Sequence, residues 1–260
     1  MPAWAPCVLV TGATSGIGAA CVQRFLAEGW AVAALARRTA PLEQLAAAHA
    51  GRVLPLAADV TQAAAVRDAV ERVRAWRQHP DVPGQPGRPA PLDAVVQAAG
   101  DFLVAPMERT SAAEFERIWR LTVWAKFYLT RELLPLLTRP EAAPPRALVH
   151  LASLAAHADF PDETAYTSAM HGVLGLARAQ DAELRGRGLR VSVVSPGLVR
   201  TPLTERHFPP AALAHALPPG AIADSVFGLV RTIRAGGYIQ EIFHTPGEAP
   251  RSAAPVLQKQ

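Results

Sequence analysis

The residues best placed by type and spacing to do chemistry lie near the start of the chain, in Thr11-Gly12-Ala13-Thr14-Ser15-Gly16-Ile17-Gly18. The apolar run Cys7 to Val10 precedes them, and Ile17, Cys21 and Phe25 recur after them at helical spacing, so the segment reads as strand, turn and helix. Gly12 and Gly16 permit a tight turn and a close backbone approach, and Gly18 lets the helix pack against the strand. Free N–H groups of the turn, from Thr14 through Ile17, then converge with the positive end of the helix on one point, a seat for a pyrophosphate. A plain glycine turn before a helix has the same composition, so the flanking elements carry the reading. A second anion site follows the next apolar run, Ala31 to Ala36, which ends at Arg37-Arg38. At that strand end of a dinucleotide fold an acid would accept a ribose 2′-OH, whereas arginine pairs with a 2′-phosphate. Ala36 stands where the acid would be, so NADP(H) is expected over NAD(H); the alternative is that both arginines solvate a loop.

The elements that must position these residues alternate along the chain. A helix is expected over 41–50, a strand over 53–57 and a helix with Val66, Val70 and Val73 on its apolar face, begun by Asp59 or Thr61 as a cap. Asp59 is also placed to meet an adenine. The stretch 79–91, dense in proline and glycine, reads as a surface excursion. Leu92 to Val96 is a strand opening into Gln97-Ala98-Ala99-Gly100, whose small side chains let a flat ring lie on backbone. A long helix is expected from Ser111 towards Leu137, broken near its end by Pro135. Next come a strand over 147–151 followed by Ser153, a helix over 164–184, a strand over 189–194 and the turn Ser195-Pro196-Gly197. The proline-rich stretch 201–220 is expected to be a mobile lid over the carboxyl ends of the sheet. A helix over 223–234 and a strand over 238–243 precede a tail, 246–260, that its prolines make unlikely to fold.

Composition bounds the rest. With 260 residues, half of them hydrophobic, one large core is affordable, and the alternation predicts a single α/β domain over 1–245. Apolar runs stay short of a membrane span, and Met1-Pro2-Ala3-Trp4 has neither the basic start nor the apolar core of a signal peptide, so a cytoplasmic protein is expected. Cys7 and Cys21 are expected in the core, and no His, Cys and carboxylate spacing suggests a metal. The formal charge of +4 comes from scattered arginines, Arg72, Arg74 and Arg77 among them, that read as solvated faces rather than a nucleic-acid surface.

Taken together, the motifs over residues 5–245 resemble the short-chain dehydrogenase/reductase family. The glycine loop matches the family's cofactor loop, Asp59-Val60 its adenine contact, Ala98-Ala99-Gly100 the end of its fourth-strand motif, and Pro196-Gly197-x-Val199-x-Thr201 its nicotinamide-side turn. Ser153 precedes Tyr166 with twelve residues between them, as the family's catalytic serine and tyrosine do. The resemblance implies a Rossmann-type, doubly wound parallel sheet of about seven strands with helices on both faces. It implies an oxidoreductase that moves a hydride between nicotinamide and a carbonyl or secondary alcohol. Ser153 would polarise the carbonyl, and Tyr166 would donate its proton and meet the cofactor. A homodimer or homotetramer is also implied, with Tyr128, Leu129, Val173 and Leu176 available for the seam.

The departures matter as much. Where the family has Tyr-x-x-x-Lys, this chain has Tyr166-Thr167-Ser168-Ala169-Met170, and Thr122 stands at the position of the active-site asparagine. Without the lysine the phenol is expected to titrate near 10, which hurts alcohol oxidation more than carbonyl reduction. Lys126, one helical turn after Thr122, is a candidate to reach towards Tyr166; the alternative is a surface or interface lysine. Two functions follow from the same residues: an NADP(H)-dependent oxidoreductase of reduced or specialised activity, or a cofactor-binding sensor or oligomer partner that no longer turns over. A serine hydrolase is disfavoured, because Ser153 is not in a Gly-x-Ser-x-Gly elbow. Phe102, Phe160, His207 and Phe208 are candidate substrate lining, and His150, His157 and His171 are structural or lining residues.

Overall fold

The computed structural model describes residues 5–78, 92–138, 144–237, 240–244 and 251–252. Eight strands form one sheet: β1 (Cys7–Thr11), β2 (Ala31–Ala36), β3 (Val53–Ala57), β4 (Ala94–Gln97), β5 (Arg146–Leu151), β6 (Leu189–Pro196), β7 (Glu241–His244) and β8 (Arg251–Ser252). Their order is β3-β2-β1-β4-β5-β6-β7-β8. The first seven are parallel, and the two-residue β8 pairs antiparallel to β7. The helices are α1 (Gly16–Ala27), α2 (Thr39–Ala48), α3 (Ala63–Gln78), α4 (Ala112–Trp119), α5 (Ala125–Leu137), α6 (Thr164–Leu184), α7 (Pro210–Leu213) and α8 (Pro219–Arg234).

Strand residues alternate between the two faces, as the pleat dictates. Leu9, Leu35, Val95, Leu148 and Val191 join one apolar cluster with residues of α3, α5 and α6. Val8, Val10, Val32, Val96 and Val149 join the other with α1 and α8. Cys7 and Cys21 are both fully buried in these clusters. Because β2 and β4 both flank β1, the crossovers leave β1 in opposite directions, and a crevice opens beyond the carboxyl ends of β1 and β4.

Several expectations need correction. Pro135 does not end its helix: α5 runs on to Leu137, since a proline late in a helix forfeits one hydrogen bond without blocking the final residues. The interruption falls earlier, where Arg120–Trp124 form a π-helical turn between α4 and α5. The stretch 201–220, expected as a lid, holds a 3-10 turn at Thr204–Arg206, α7, and a bridge from Val199 to Leu217. Pro219 starts α8 four residues before the expected position, since proline fits the first turn of a helix. β6 extends through Pro196. Arg77, expected on a solvated face, is 3% exposed. Tyr128, Leu129 and Val173, expected at an oligomer seam, are buried against the sheet, so their apolar faces are already used within the chain. The expected excursion at 79–91, residues 238–239 and the tail other than 251–252 lie outside the described residues.

Candidate active site

The glycine turn has the conformation its residue types require. Gly12 and Gly16 adopt φ of 70° and 53°, a region where side chains are strained. A Cβ on Gly18 would lie 2.3 Å from the Gly12 carbonyl oxygen, and one on Gly12 would lie 3.1 Å from the Ala99 nitrogen. Helix and loop therefore close on each other with no room for a side chain. Thr11 ties the ends of β1 and β4 together by accepting a hydrogen bond from Ala99 N–H at 3.0 Å.

Beyond this turn lies a cleft of about 620 Å³. Its walls contain Gly12, Thr14, Ser15, Gly16, Ile17, Gly18, Arg37, Arg38, Asp59, Val60, Ala98, Ala99, Gly100 and Thr201, all singled out from the sequence. Pro196, Gly197, Val199 and Tyr166 are not among its walls. The first of these closes β6, and Val199 is buried at the root of the lid. Arg38 donates to the Thr14 carbonyl at 2.9 Å, which fixes it at the rim, while Arg37 is exposed beside it. Asp59 accepts from both the N–H and the hydroxyl of Thr61, at 2.9 and 2.8 Å, and so shapes the entry to α3. The same cleft is lined by Leu121 and by Arg206 of the lid, neither of which the sequence reading assigned to it. No local spacing marks Arg206, whose place is set by how the lid folds back over the sheet.

Ser153 follows β5, where its hydroxyl accepts from Ala155 N–H at 3.2 Å and starts a short 3-10 turn. Tyr166 lies in the first turn of α6. Burial pushes its phenol up to about 12, the Ser153 hydroxyl bonded to it pulls the other way, and the nearby Glu163 carboxylate adds to the rise. Glu163 itself, half-buried at the start of α6, is raised to about 7 by desolvation. Met170, one turn beyond Tyr166, is 4% exposed and belongs to the apolar cluster against which Ala99 and Tyr166 pack. The turn that follows Tyr166 therefore carries an apolar side chain at this position.

Thr122 lies in the π-helical turn, fully buried, and its hydroxyl has no hydrogen-bond partner among the described residues. Lys126 is not at the surface. It is 3% exposed, its amine donates to the Ala99 carbonyl at 3.2 Å, and burial lowers it to about 8. The histidines divide as structural residues. His150 is buried against Gln180 at 2.7 Å and lowered to about 3, first by burial and then by the Lys126 charge. His157 meets Glu241 at 2.6 Å, and His171 meets the Thr167 carbonyl at 3.0 Å.

Of the candidate lining residues, three come together. The Phe102 ring stands edge-on to Tyr166 with centroids 4.6 Å apart, edge-on to His207 at 5.2 Å, and stacked on Phe208 at 5.5 Å. Phe160 is outside this group and 42% exposed. The arrangement offers a hydroxyl pair held beside an apolar, ring-lined space, in a fold whose glycine turn walls a separate cleft.

Comparison with known proteins agrees with this geometry. The sequence model of a family described as short chain dehydrogenase matches residues 6–211. A 2-(R)-hydroxypropyl-CoM dehydrogenase of Xanthobacter autotrophicus is 31% identical over 204 residues, 76% of each chain. A D-threitol dehydrogenase of Mycolicibacterium smegmatis is 33% identical over 202 residues, 75% of this chain and 70% of that one. A solved short chain dehydrogenase/reductase family protein superposes with a TM-score of 0.80 at 26% identity, covering 95% of this chain and 98% of the other. From its doubly wound sheet, its glycine cradle and these matches, the chain belongs to the short-chain dehydrogenase/reductase family of oxidoreductases.

Proposed function

We propose that the protein is an NADP(H)-dependent oxidoreductase that favours reduction of a carbonyl to a secondary alcohol. The observation that carries this reading is the Ser153–Tyr166 pair, in which a buried phenol is hydrogen-bonded to the serine hydroxyl and burial pushes it up to about 12. A neutral phenol is the acid that carbonyl reduction needs, whereas alcohol oxidation needs the phenolate as base. At pH 7 a group titrating near 12 supplies only about one part in 10⁵ of phenolate.

The cleft fits a dinucleotide on its own evidence: glycines whose Cβ positions are filled by backbone, and two arginines at the end of a strand with no acid. Bound there, the nicotinamide would supply the hydride. The Ser153 hydroxyl then orients and polarises the carbonyl oxygen, and Tyr166 gives it a proton. Glu163, three residues before Tyr166 and raised to about 7 by desolvation, is the acid we assign to resupply the phenol with a proton from solvent. Arg37, exposed at the rim with Arg38, favours a 2′-phosphate over a free hydroxyl.

The ring-lined space suits an apolar small-molecule substrate. No described helix is long and apolar enough to cross a membrane, and we place the protein in the cytoplasm as a homodimer or homotetramer. A second reading keeps the fold and the cofactor but not turnover. Met170 and the unpartnered Thr122 hydroxyl favour it, since together they remove the cation and leave the helix site without a proton relay. One experiment separates the two: titration with NADPH and NADH, followed by carbonyl-dependent NADPH consumption in wild type and Tyr166→Phe. Cofactor binding with a rate lost in the variant supports the enzyme. Binding without any rate supports the second reading.

A further inference from the structure

A buried carboxylate on the last parallel strand ties together two segments that carry the site. Glu241 opens β7 opposite Val193 of β6, so it shares a sheet face with Val193 and with Ser195, two residues further along. That is the face α6 covers, since Val193 belongs to the same apolar cluster as Met170 and Val173. Glu241 is 7% exposed, and Ser195 is fully buried. A single oxygen of Glu241, Oε1, accepts from the Ser195 hydroxyl at 2.6 Å and meets His157 Nε2 at 2.6 Å, while that hydroxyl and ring nitrogen are 3.5 Å apart. A carboxylate can only accept, so His157 donates from Nε2.

His157 ends the turn that begins at Ser153. The Ser153 carbonyl accepts from Ala156 N–H at 2.9 Å, the Leu154 carbonyl from His157 N–H at 2.9 Å, and the Ser153 hydroxyl from Ala155 N–H at 3.2 Å. The turn therefore moves as one piece, and fixing the His157 ring restrains Ser153, whose hydroxyl is bonded to the Tyr166 phenol. Through Ser195 the same carboxylate oxygen holds the end of β6, where the chain passes into Pro196-Gly197. Glu241, His157 and Ser195 do not line the cofactor cleft. Nor does stability call for a carboxylate there: desolvation offsets much of the attraction in a buried pair, and an apolar side chain of like volume would serve as well. What the contact supplies is a fixed geometry.

We propose that Glu241 and His157 are positioning residues for Ser153, and that through them β7 forms part of the framework of the reaction site. The inference rests on the oxidoreductase reading of the Ser153–Tyr166 pair. With the contact made, the turn presents the serine hydroxyl in one place. Without it the turn keeps its own hydrogen bonds but loses its anchor to β7, and the hydroxyl visits positions from which it polarises a carbonyl less well.

The test is NADPH-dependent reduction of a panel of aryl and alkyl ketones, with cofactor titration, denaturant unfolding and amide hydrogen exchange of residues 153–158. The proteins compared are wild type, Glu241→Ala, Glu241→Gln, His157→Phe, His157→Gln and the double variant His157→Phe with Glu241→Ala. Asp181→Asn, which breaks the buried pair with Arg190 at the other end of β6, is the control for lost stability. Glu241→Ala and His157→Phe are expected to lower kcat by about tenfold to a hundredfold, with KM and cofactor affinity little changed, and to speed exchange in 153–158. Glu241→Gln keeps an acceptor and His157→Gln a donor, so both are expected to recover part of the rate. The double variant is expected to cost no more than either single one. Asp181→Asn is expected to lose stability and keep its kcat. A kcat that survives Glu241→Ala, a loss of kcat that Asp181→Asn reproduces, or additive losses in the double variant would overturn the inference. Exchange in 153–158 that is the same in Glu241→Ala and wild type would overturn it too, whether or not any ketone is reduced. A wild type that binds cofactor and reduces no ketone, with the exchange difference present, fails the oxidoreductase reading and takes the positioning role with it.

Discussion

Lys126 donates its amine to the Ala99 carbonyl at 3.2 Å, from a site 3% exposed and behind the wall of the cofactor cleft. Neither the candidate reach towards Tyr166 nor a surface place describes this amine, which is engaged just beyond β4. Its titration carries a stability signature. Lowered from 10.5 to about 8 by burial, Lys126 is charged in both states below pH 8 and neutral in both above 10.5. Between those values the unfolded chain holds more protons, so this group adds stability as pH rises, on the order of 3 kcal/mol across the window. Denaturant unfolding of wild type and Lys126→Met is therefore expected to show a difference that shifts between pH 8 and 10.5 in favour of wild type. A constant difference would contradict the buried amine.

Much of this architecture was legible because hydrophobic period and breakers act locally. Ala31–Ala36, Val53–Ala57 and Thr164–Leu184 are bounded where their apolar runs and turn residues place them. What was not legible depends on tertiary rotation. Tyr128 and Leu129 were available for a seam by type, but the fold buries both in the apolar cluster that α3, α5 and α6 share. The cleft was legible in its glycines and arginines. Arg206 was not, because its place in the cleft wall is set by the folding of the segment after β6 and no local pattern encodes it.

Glu163 gives the pH profile a second feature. Desolvation raises its carboxyl to about 7, and it lies three residues before Tyr166 at the start of α6. If it resupplies protons to the phenol, carbonyl reduction should fall as pH rises through about 7, when the acid form is lost. Glu163→Gln is expected to remove that inflection and lower kcat at pH 6 several-fold with little change in KM. A profile through pH 7 that is identical in variant and wild type would exclude Glu163 from the proton path.

The glycine cradle separates steric need from backbone freedom. Gly18→Ala would set a Cβ 2.3 Å from the Gly12 carbonyl, so it should cost about 1–3 kcal/mol and weaken cofactor binding. Gly228 lies inside α8, with nothing within 4 Å of a Cβ there. Gly228→Ala should stabilise by about 0.5–1 kcal/mol through helix propensity and leave cofactor affinity unchanged. Chemical denaturation and cofactor titration of the two variants check both expectations.

With Tyr128, Leu129 and Val173 buried, an oligomer must use other residues. Phe127, 47% exposed on α5, and Phe115, 38% exposed on α4, are the large apolar side chains those helices leave open. Phe127→Asp is expected to shift a dimer or tetramer to monomer in light scattering at micromolar concentration, since a desolvated carboxylate at a seam is unfavourable. A wild type already monomeric there would refute the assembly.

The largest effect is expected at Met170. Its side chain fills an apolar position one turn from a phenol that titrates near 12, so alcohol oxidation should still climb about tenfold per pH unit at pH 10, without a plateau. Met170→Lys returns a cation to that turn. It should pull the phenol down, bring a plateau into the accessible range and raise oxidation at pH 8 by about tenfold or more, with a smaller gain in reduction, for which the neutral phenol already serves. The amine must be buried to do this, so the variant should also lose about 1–3 kcal/mol of stability. Lys126→Met, whose amine is committed to Ala99, should leave the phenol's profile where it is. If Met170→Lys changes neither direction and Tyr166→Phe costs nothing, the phenol is not the acid, and the cofactor-binding reading replaces the enzyme.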